Sequence, residues 1–264
     1  MSSRYDQIMV QIFKDHYRAD RREIVFGRED LTKAAKKLGI AAPKNLGDIV
    51  YSYRYRKDLP EEIRAVSKGE EGWILVPRGT ARYALVMHPK GGLIEAPECM
   101  YAIKIPDATP EIIEENRLSD EQAILARVRY NRLVDLFTGM TAYPLQSHYR
   151  TSLPSIGQIE VDEIYIGVDK QGRQYYIPIE AKAGKDRLSV VQIGQDILCG
   201  KERFPSLICK PLAAFEMEDA SLMLFEFVAE DRWEKIEYLE ARRYELVPAE
   251  EVPENQKKGI SGRA

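Results

Sequence analysis

The sequence predicts an α/β (α+β) protein, with a helical N-terminal unit ahead of a mixed sheet flanked by helices. Three observations carry this reading. Residues 5–53 repeat apolar side chains at helical spacing, residues 156–183 read as two strands about a short turn with the first alternating, and helix and strand patterns then follow one another toward residue 247. With 264 residues, 44% of them hydrophobic and 31% charged, the chain is too apolar for a wholly disordered protein. No apolar run approaches the ~20 residues of a membrane span. The start, MSSRYDQIMVQIFKDHYR, carries charges inside its apolar stretch, unlike a secretory signal. The expected location is cytoplasmic, without membrane contact. Cys99, Cys199 and Cys209 form no CxxC pair, and His16, His88 and His148 stand alone, which argues against zinc sites and disulfide frameworks.

The elements follow in order. Residues 5–17 place Ile8, Ile12 and Phe13 on one helical side. Asp30 is positioned to cap a second helix that runs to about Leu38, before Gly39. Pro43 opens a third, with Leu46, Ile49, Val50 and Tyr53 on one face. GWILVPRG and ARYALVMH then read as the strands of a hairpin. Three helices followed by a hairpin resemble a winged helix-turn-helix module. That resemblance implies a DNA-facing helix from Pro43, with Lys44, Asn45, Arg54 and Arg56 beside the duplex. The alternative is a solvated basic face on an ordinary helical unit.

Residues 91–118, rich in proline and carrying PEIIEEN, read as a connection between domains, with some strand around residues 99–105. A long helix is expected over residues 119–139, opened by a capping box at Ser119-Asp-Glu-Gln122. A first strand falls near 147–153. SIGQIEVDEIYIGVDKQGRQYYIPIEAKAG then divides into two strands about the turn Asp169-Lys-Gln-Gly172. A helix over 187–200, two strands in LICKPLAAFEM and LMLFEFV, and further strand in RWEKIEYLEARRYELVP complete the order. The boundaries expected are 1–90 for the N-terminal domain, 91–118 for the linker, 119–248 for the second domain and 249–264 for a mobile tail.

The hairpin at 156–183 carries the chemistry. Glu160 and Asp162 share strand parity, as do Glu180 and Lys182, so each pair projects from one face. Apolar strands rarely hold such groups inward unless something offsets the charge. Asp162 and Glu180 offer hard oxygen ligands suited to Mg²⁺, with the Ala181 carbonyl as a further ligand. Lys182 is placed to orient a nucleophile or stabilise a phosphate transition state. The competing reading is an ion-pair ladder that merely stabilises the sheet.

Asp162 followed by Glu180-Ala-Lys182 at the end of the next strand resembles the signature of the PD-(D/E)xK nuclease superfamily. Val161 stands where the family name has proline, a position that often departs. The resemblance covers roughly residues 119–230. It implies a restriction-endonuclease-like core running helix, three strands, helix, strand. It also implies catalytic and metal-binding roles for Asp162, Glu180 and Lys182, with Mg²⁺ as cofactor and Mn²⁺ able to substitute. Glu160 is then either a second-site ligand or the partner of Lys182 or an arginine. Glu121 is a candidate acid from the first helix, with helix capping as its stronger reading. Several nucleases of the superfamily turn a glutamine of the following helix toward the site, which singles out Gln192 or Gln195. Lys185 and Arg187, just past the motif strand, are candidate phosphate contacts or plain solvated charges.

The whole pattern resembles a type II restriction endonuclease. Its implied partners are double-stranded DNA, a second copy of the chain and a cognate DNA methyltransferase. A repair nuclease or junction resolvase with the same core is one alternative, and a non-catalytic DNA-binding regulator another. The net charge of −3 looks unfavourable for DNA until it is partitioned. Residues 1–70 hold 15 Lys and Arg against 11 Asp and Glu, while the acidic excess lies in the remainder.

Overall fold

A computed structural model describes residues 3–55, 57–94, 97, 101–118, 120–183, 187–230 and 232–257. The chain is a mixed α+β protein whose large mixed sheet is flanked by helices. No helix among the described residues is long and apolar enough to cross a membrane.

The N-terminal part comprises α1 (Arg4–His16), β1 (Glu23–Gly27), α2 (Arg28–Lys37), α3 (Gly47–Tyr55), α4 (Glu61–Arg64), β2 (Gly72–Pro77) and β3 (Arg82–His88). A Ser3–Asp6 capping box starts α1, and its periodicity buries Ile8, Met9, Ile12 and Phe13. Asp30 does not begin α2 as the sequence suggested. It lies inside the first turn and accepts the Gly27 amide at 2.8 Å, because β1 runs straight into the helix. The third helix likewise starts at Gly47 rather than Pro43. Asn45 accepts the Gly47 amide at 3.1 Å and donates to Asp48 at 2.7 Å, so residues 43–46 form a capped turn.

These strands form an antiparallel sheet in the order β1-β3-β2. The period of two splits β2 cleanly. Trp73 and Leu75 join the helical core with Ile8, Phe13 and Leu31. Ile74 and Val76 face the other way, into a core shared with the C-terminal part. The hairpin is therefore covered on both faces rather than projecting as a free wing.

The remainder contains β4 (Leu93–Ile94), β5 (Ala102–Pro106), α5 (Glu111–Glu115), α6 (Glu121–Tyr130), α7 (Leu133–Thr138), β6 (Thr141–Leu153), β7 (Gly157–Val168) and β8 (Gln174–Lys182). It continues with β9 (Leu188–Ser189), α8 (Val190–Arg203), β10 (Ile208–Cys209), β11 (Leu212–Glu216), β12 (Leu222–Phe227), a 3-10 turn at Trp233–Lys235 and β13 (Tyr238–Val247). The main sheet runs β5-β13-β12-β11-β8-β7-β6, with β10 also beside β8. β6, β7 and β8 form an antiparallel meander, and β11 returns parallel to β8 after crossing through α8. α6 and α7 pack Ile124, Val128 and Phe137 on one face, and α8 packs Val190, Ile193 and Ile197 on the other.

Four expectations change here. The helix expected over 119–139 is two helices, broken where Arg132 takes φ 51°. Asp120 caps the first through the Ala123 amide, and Ser119 lies outside the described residues. The segment 91–118 is more than a connection. β5 is the edge of the main sheet beside β13, and β4 pairs with β9. In the last segment, Trp233 and Ile236 are buried in the 3-10 region, whereas Leu239 is exposed on β13. The expected tail carries a 3-10 turn at Ala249–Glu251 and a short helix α9 at Glu254–Lys257, with Val252 buried. Residues 258–264 lie outside the described part.

Candidate active site

The site forms where two strands part. β7 and β8 pair as far as Glu163↔Ile179, and β8 then continues alone along β11 to Lys182. The amide of Ala181 has lost its partner on β7 at that point. The Asp162 carboxylate takes the place, with Oδ2 accepting the Ala181 amide at 2.9 Å. Strand parity sets Glu180 and Lys182 to one side of β8.

The Lys182 ammonium is the hub. Its Nζ lies 2.6 Å from Glu121 Oε1, 3.7 Å from Glu180 Oε2 and 3.9 Å from Asp162 Oδ2. It also donates to the Ala181 carbonyl at 2.8 Å. The side chains of Glu180 and Lys182 are 4% and 8% exposed, so these charges interact with little water between them. The Gln192 side chain joins the cluster from the first turn of α8. Its Nε2 donates to Glu180 Oε2 at 2.8 Å, while its Oε1 accepts the Ser189 amide at the helix start. Gln192 thus ties the helix N-terminus to the motif carboxylate.

The electrostatics follow from crowding. Burial, then the nearby Asp162 and Asp196 charges, push Glu180 well above the usual carboxylate range. Burial also raises Asp162, although Lys182 and the Ala181 amide oppose it. Burial alone would lower the Lys182 ammonium, but Glu180, Asp162 and Glu121 outweigh it and hold the group protonated. Lys182 is therefore a fixed cation and not a proton acceptor at neutral pH.

Two participants went unassigned or under-weighted in the sequence. Glu121 is the first residue of α6, and its carboxylate bonds Lys182 directly, while Asp120 does the capping. Asp196 sits one helical turn beyond Gln192, is 1% exposed, and its Oδ2 has no hydrogen-bond partner among the described residues. Burial and Asp162 raise it well above its usual range. The i, i+4 spacing of Gln192 and Asp196 was the available signal.

Glu160 does not join the cluster. It takes the arginine alternative, with Arg150 Nε at 3.0 Å and His148 Nδ1 at 3.2 Å from its carboxylate. Glu163, of opposite parity, is buried against Arg129 at 2.5 Å. Gln195 is buried within α8. Of the basic candidates, Lys44 is exposed ahead of α3, Asn45 serves the α3 turn, and Arg54 lines a cleft between α3 and α8. Arg187 pairs with Asp58 at 2.9 Å. Arg56 and Lys185 lie outside the described residues.

Three carboxyl groups, Glu121, Asp162 and Glu180, thus lie within 4 Å of one ammonium, with Asp196 buried nearby on α8. Among the described residues no three Asp, Glu, Cys or His side chains are grouped so as to hold a metal ion. The donor set is nonetheless hard oxygen throughout, with more carboxyl groups than cations and one buried carboxyl oxygen, Asp196 Oδ2, without a hydrogen-bond partner among the described residues. That chemistry fits a divalent cation of the Mg²⁺ class. No family model, no curated protein and no solved structure matches the chain.

Proposed function

We propose that the protein is a metal-dependent DNA endonuclease of the PD-(D/E)xK type, acting on double-stranded DNA in the manner of a type II restriction enzyme. The observation that carries this reading is the convergence of Asp162, Glu180 and Lys182 at the parting ends of β7 and β8. An ion-pair ladder would lie on a wet sheet face, whereas this group is buried and over-supplied with carboxylates. The succession α6, β6, β7, β8, α8, β11, with β11 parallel to β8, supports the restriction-endonuclease-like core.

Asp162 and Glu180, with the Ala181 carbonyl, would hold Mg²⁺ or Mn²⁺, which when bound supplies a Lewis acid for the phosphate and acidifies a water. The protein's own residues do the rest. The Ala181 amide fixes the Asp162 carboxylate, and Gln192 fixes that of Glu180. Lys182, held cationic, stabilises the charge that builds on the phosphate as the P–O bond breaks. Glu121 orients the Lys182 ammonium.

The N-terminal unit would read the DNA. Its order of α1, β1, α2, α3 and hairpin, with β1 added beside β3, supports a winged-helix-like fold. Cutting both strands calls for two sites and hence a homodimer. A cognate methyltransferase is the partner expected for such an enzyme.

The test is cleavage of phage DNA with Mg²⁺ or Mn²⁺ by the intact protein. Discrete fragments are expected, with loss of cleavage but not of DNA binding in Asp162→Ala and Lys182→Ala. Cleavage at the native rate by either variant would refute the assignment.

A further inference from the structure

Helix α6 is bonded to both motif strands, one at each end. At its start Glu121 accepts from Lys182 of β8 at 2.6 Å. Roughly two turns further, about 12 Å along at 1.5 Å per residue, Arg129 meets Glu163 of β7. Its Nε and Nη2 lie 3.0 and 2.5 Å from the same carboxylate oxygen. Between these contacts Arg127 reaches Glu216, at the end of β11, at 2.9 Å. The helix thus holds β7, β8 and β11, which lie side by side in the main sheet.

The Arg129 contact falls at the point where the strands part. Glu163↔Ile179 is the last pair between β7 and β8, and on its other side Glu163 faces Ser147 of β6. Arg129 Nη2 also donates to the Ser147 hydroxyl at 3.3 Å, so one planar guanidinium holds the facing residues of two strands. Just beyond that pair both strands leave regular geometry. On β6, His148 takes φ 49°, a left-handed conformation that persists only where surrounding contacts hold it. On β7, Asp162 drops out of the pairing with β8 and sets its carboxylate on the Ala181 amide. Continuing the register from Glu163↔Ile179 would bring Val161 opposite Ala181. A main-chain carbonyl would then take the Ala181 amide, and the Asp162 carboxylate would be displaced.

We infer that Arg129 and Glu163 are positioning residues for Asp162: they clamp the last regular pair to α6, so that the Asp162 carboxylate and not a main-chain carbonyl holds the Ala181 amide. The Glu163 side chain is 1% exposed, and a buried ion pair adds little net stability over an apolar contact of the same volume. What the pair supplies is a fixed place for β7 relative to α6, while Glu121 ties Lys182 to the same helix. One rigid element thereby sets the spacing between the motif acid on one strand and the ammonium on the next. The inference rests on the nuclease reading for what Asp162 does, but not for how Asp162 is held.

The experiment uses the intact protein and four variants: Arg129→Met, Arg129→Lys, Glu163→Gln, and Arg129→Met with Glu163→Gln. Circular dichroism and melting establish which of them fold. Arg129→Lys, which keeps the charge without the planar fork, is the mildest. The first readout is the Ala181 amide resonance in protein labelled with ¹⁵N-alanine, in EDTA, with Ala34 on α2 as a remote control. The second is the Mg²⁺ midpoint of DNA cleavage, with kcat and KM. The Ala181 resonance is expected to move in Arg129→Met and Glu163→Gln while that of Ala34 stays. The Mg²⁺ midpoint is expected to rise by about 10–100-fold, with kcat reduced and KM for DNA unchanged. Arg129→Lys should fall between these and the wild type. The double variant should be no worse than either single one, because both remove the same clamp. A folded variant that melts lower yet keeps the Ala181 resonance, or keeps the Mg²⁺ midpoint while the wild type cleaves, would show a merely structural pair and overturn the inference. Effects that add in the double variant would overturn it too. If the wild type cuts no DNA, the nuclease reading fails, and the Ala181 resonance alone then decides the clamp.

Discussion

Replacing Lys182 with Met removes the one cation from the carboxylate cluster while keeping most of the side-chain volume. The structure sets the magnitude. Two of the lost attractions, at 3.7 and 3.9 Å, are each worth about 4 kcal/mol at an effective dielectric of 20, and the 2.6 Å pair with Glu121 more. Desolvation offsets most of that gross attraction, and removing one partner of a buried pair costs about 3–5 kcal/mol net. The metal-free Lys182→Met protein is therefore expected to lose that much in urea unfolding at neutral pH, with an unchanged slope. Part of the loss should return with a divalent cation, about 2.7 kcal/mol when the metal stands at a hundred times its dissociation constant. The assay is paired urea titrations of both proteins at constant ionic strength, with Mg²⁺ and with EDTA. Equal stability of the two proteins in EDTA, or no gain from Mg²⁺ in either, would refute the view of this cluster as an under-compensated cation site.

Three further outcomes follow from the same geometry. Gln192→Ala strips Glu180 of its donor and is expected to weaken metal dependence of cleavage by about 10–100-fold, read as a shift in the Mg²⁺ midpoint. Asp196→Asn is expected to flatten the pH dependence of stability. The folded carboxyl is raised by burial, so its contribution is complete below the unfolded value and is lost as pH rises through the folded one. In EDTA the variant should gain on the wild type as pH rises above the ordinary carboxylate range, and parallel curves in urea would contradict this. Gly194→Ala drives a methyl into the Trp233 ring, well inside contact distance, where α8 meets the 3-10 turn. It is expected to cost about 1–3 kcal/mol, visible as a lower melting temperature.

Much of the architecture was legible along the chain because its signals are local. Alternation over residues 157–168 marked the first motif strand, and the apolar run over residues 174–182 after a short turn marked the second. The turn between them was readable too, since Asp169 caps the Gln171 and Arg173 amides and Gly172 takes φ 78°. The errors fall where local and tertiary preferences diverge. Nothing in the periodicity of 119–139 marks a break, yet Arg132 adopts a left-handed conformation so that α6 and α7 can both lie on the sheet. β1 is short and its pairing partner lies far along the chain, so no nearby pattern announces it, whereas the strand expected around residues 99–105 is present as β5 and only its place at the sheet edge beside β13 was not legible.

The site divides in the same way. By itself the sequence determined that Asp162, Glu180 and Lys182 lie on paired strands with matching parity, because side-chain direction in a strand follows from the period of two. It could not determine which other groups reach them. Glu121 comes from 61 residues away and Gln192 from a crossover helix. Glu160, with the right parity, is drawn off by Arg150 on the neighbouring strand. Tertiary packing alone decided that the strands part beyond Glu163, that the Asp162 carboxylate caps Ala181, and that a cleft opens from Gln192. The physical reason is that strand direction is a property of the backbone, whereas ion-pair partners are chosen by distance and burial once the chain has closed on itself.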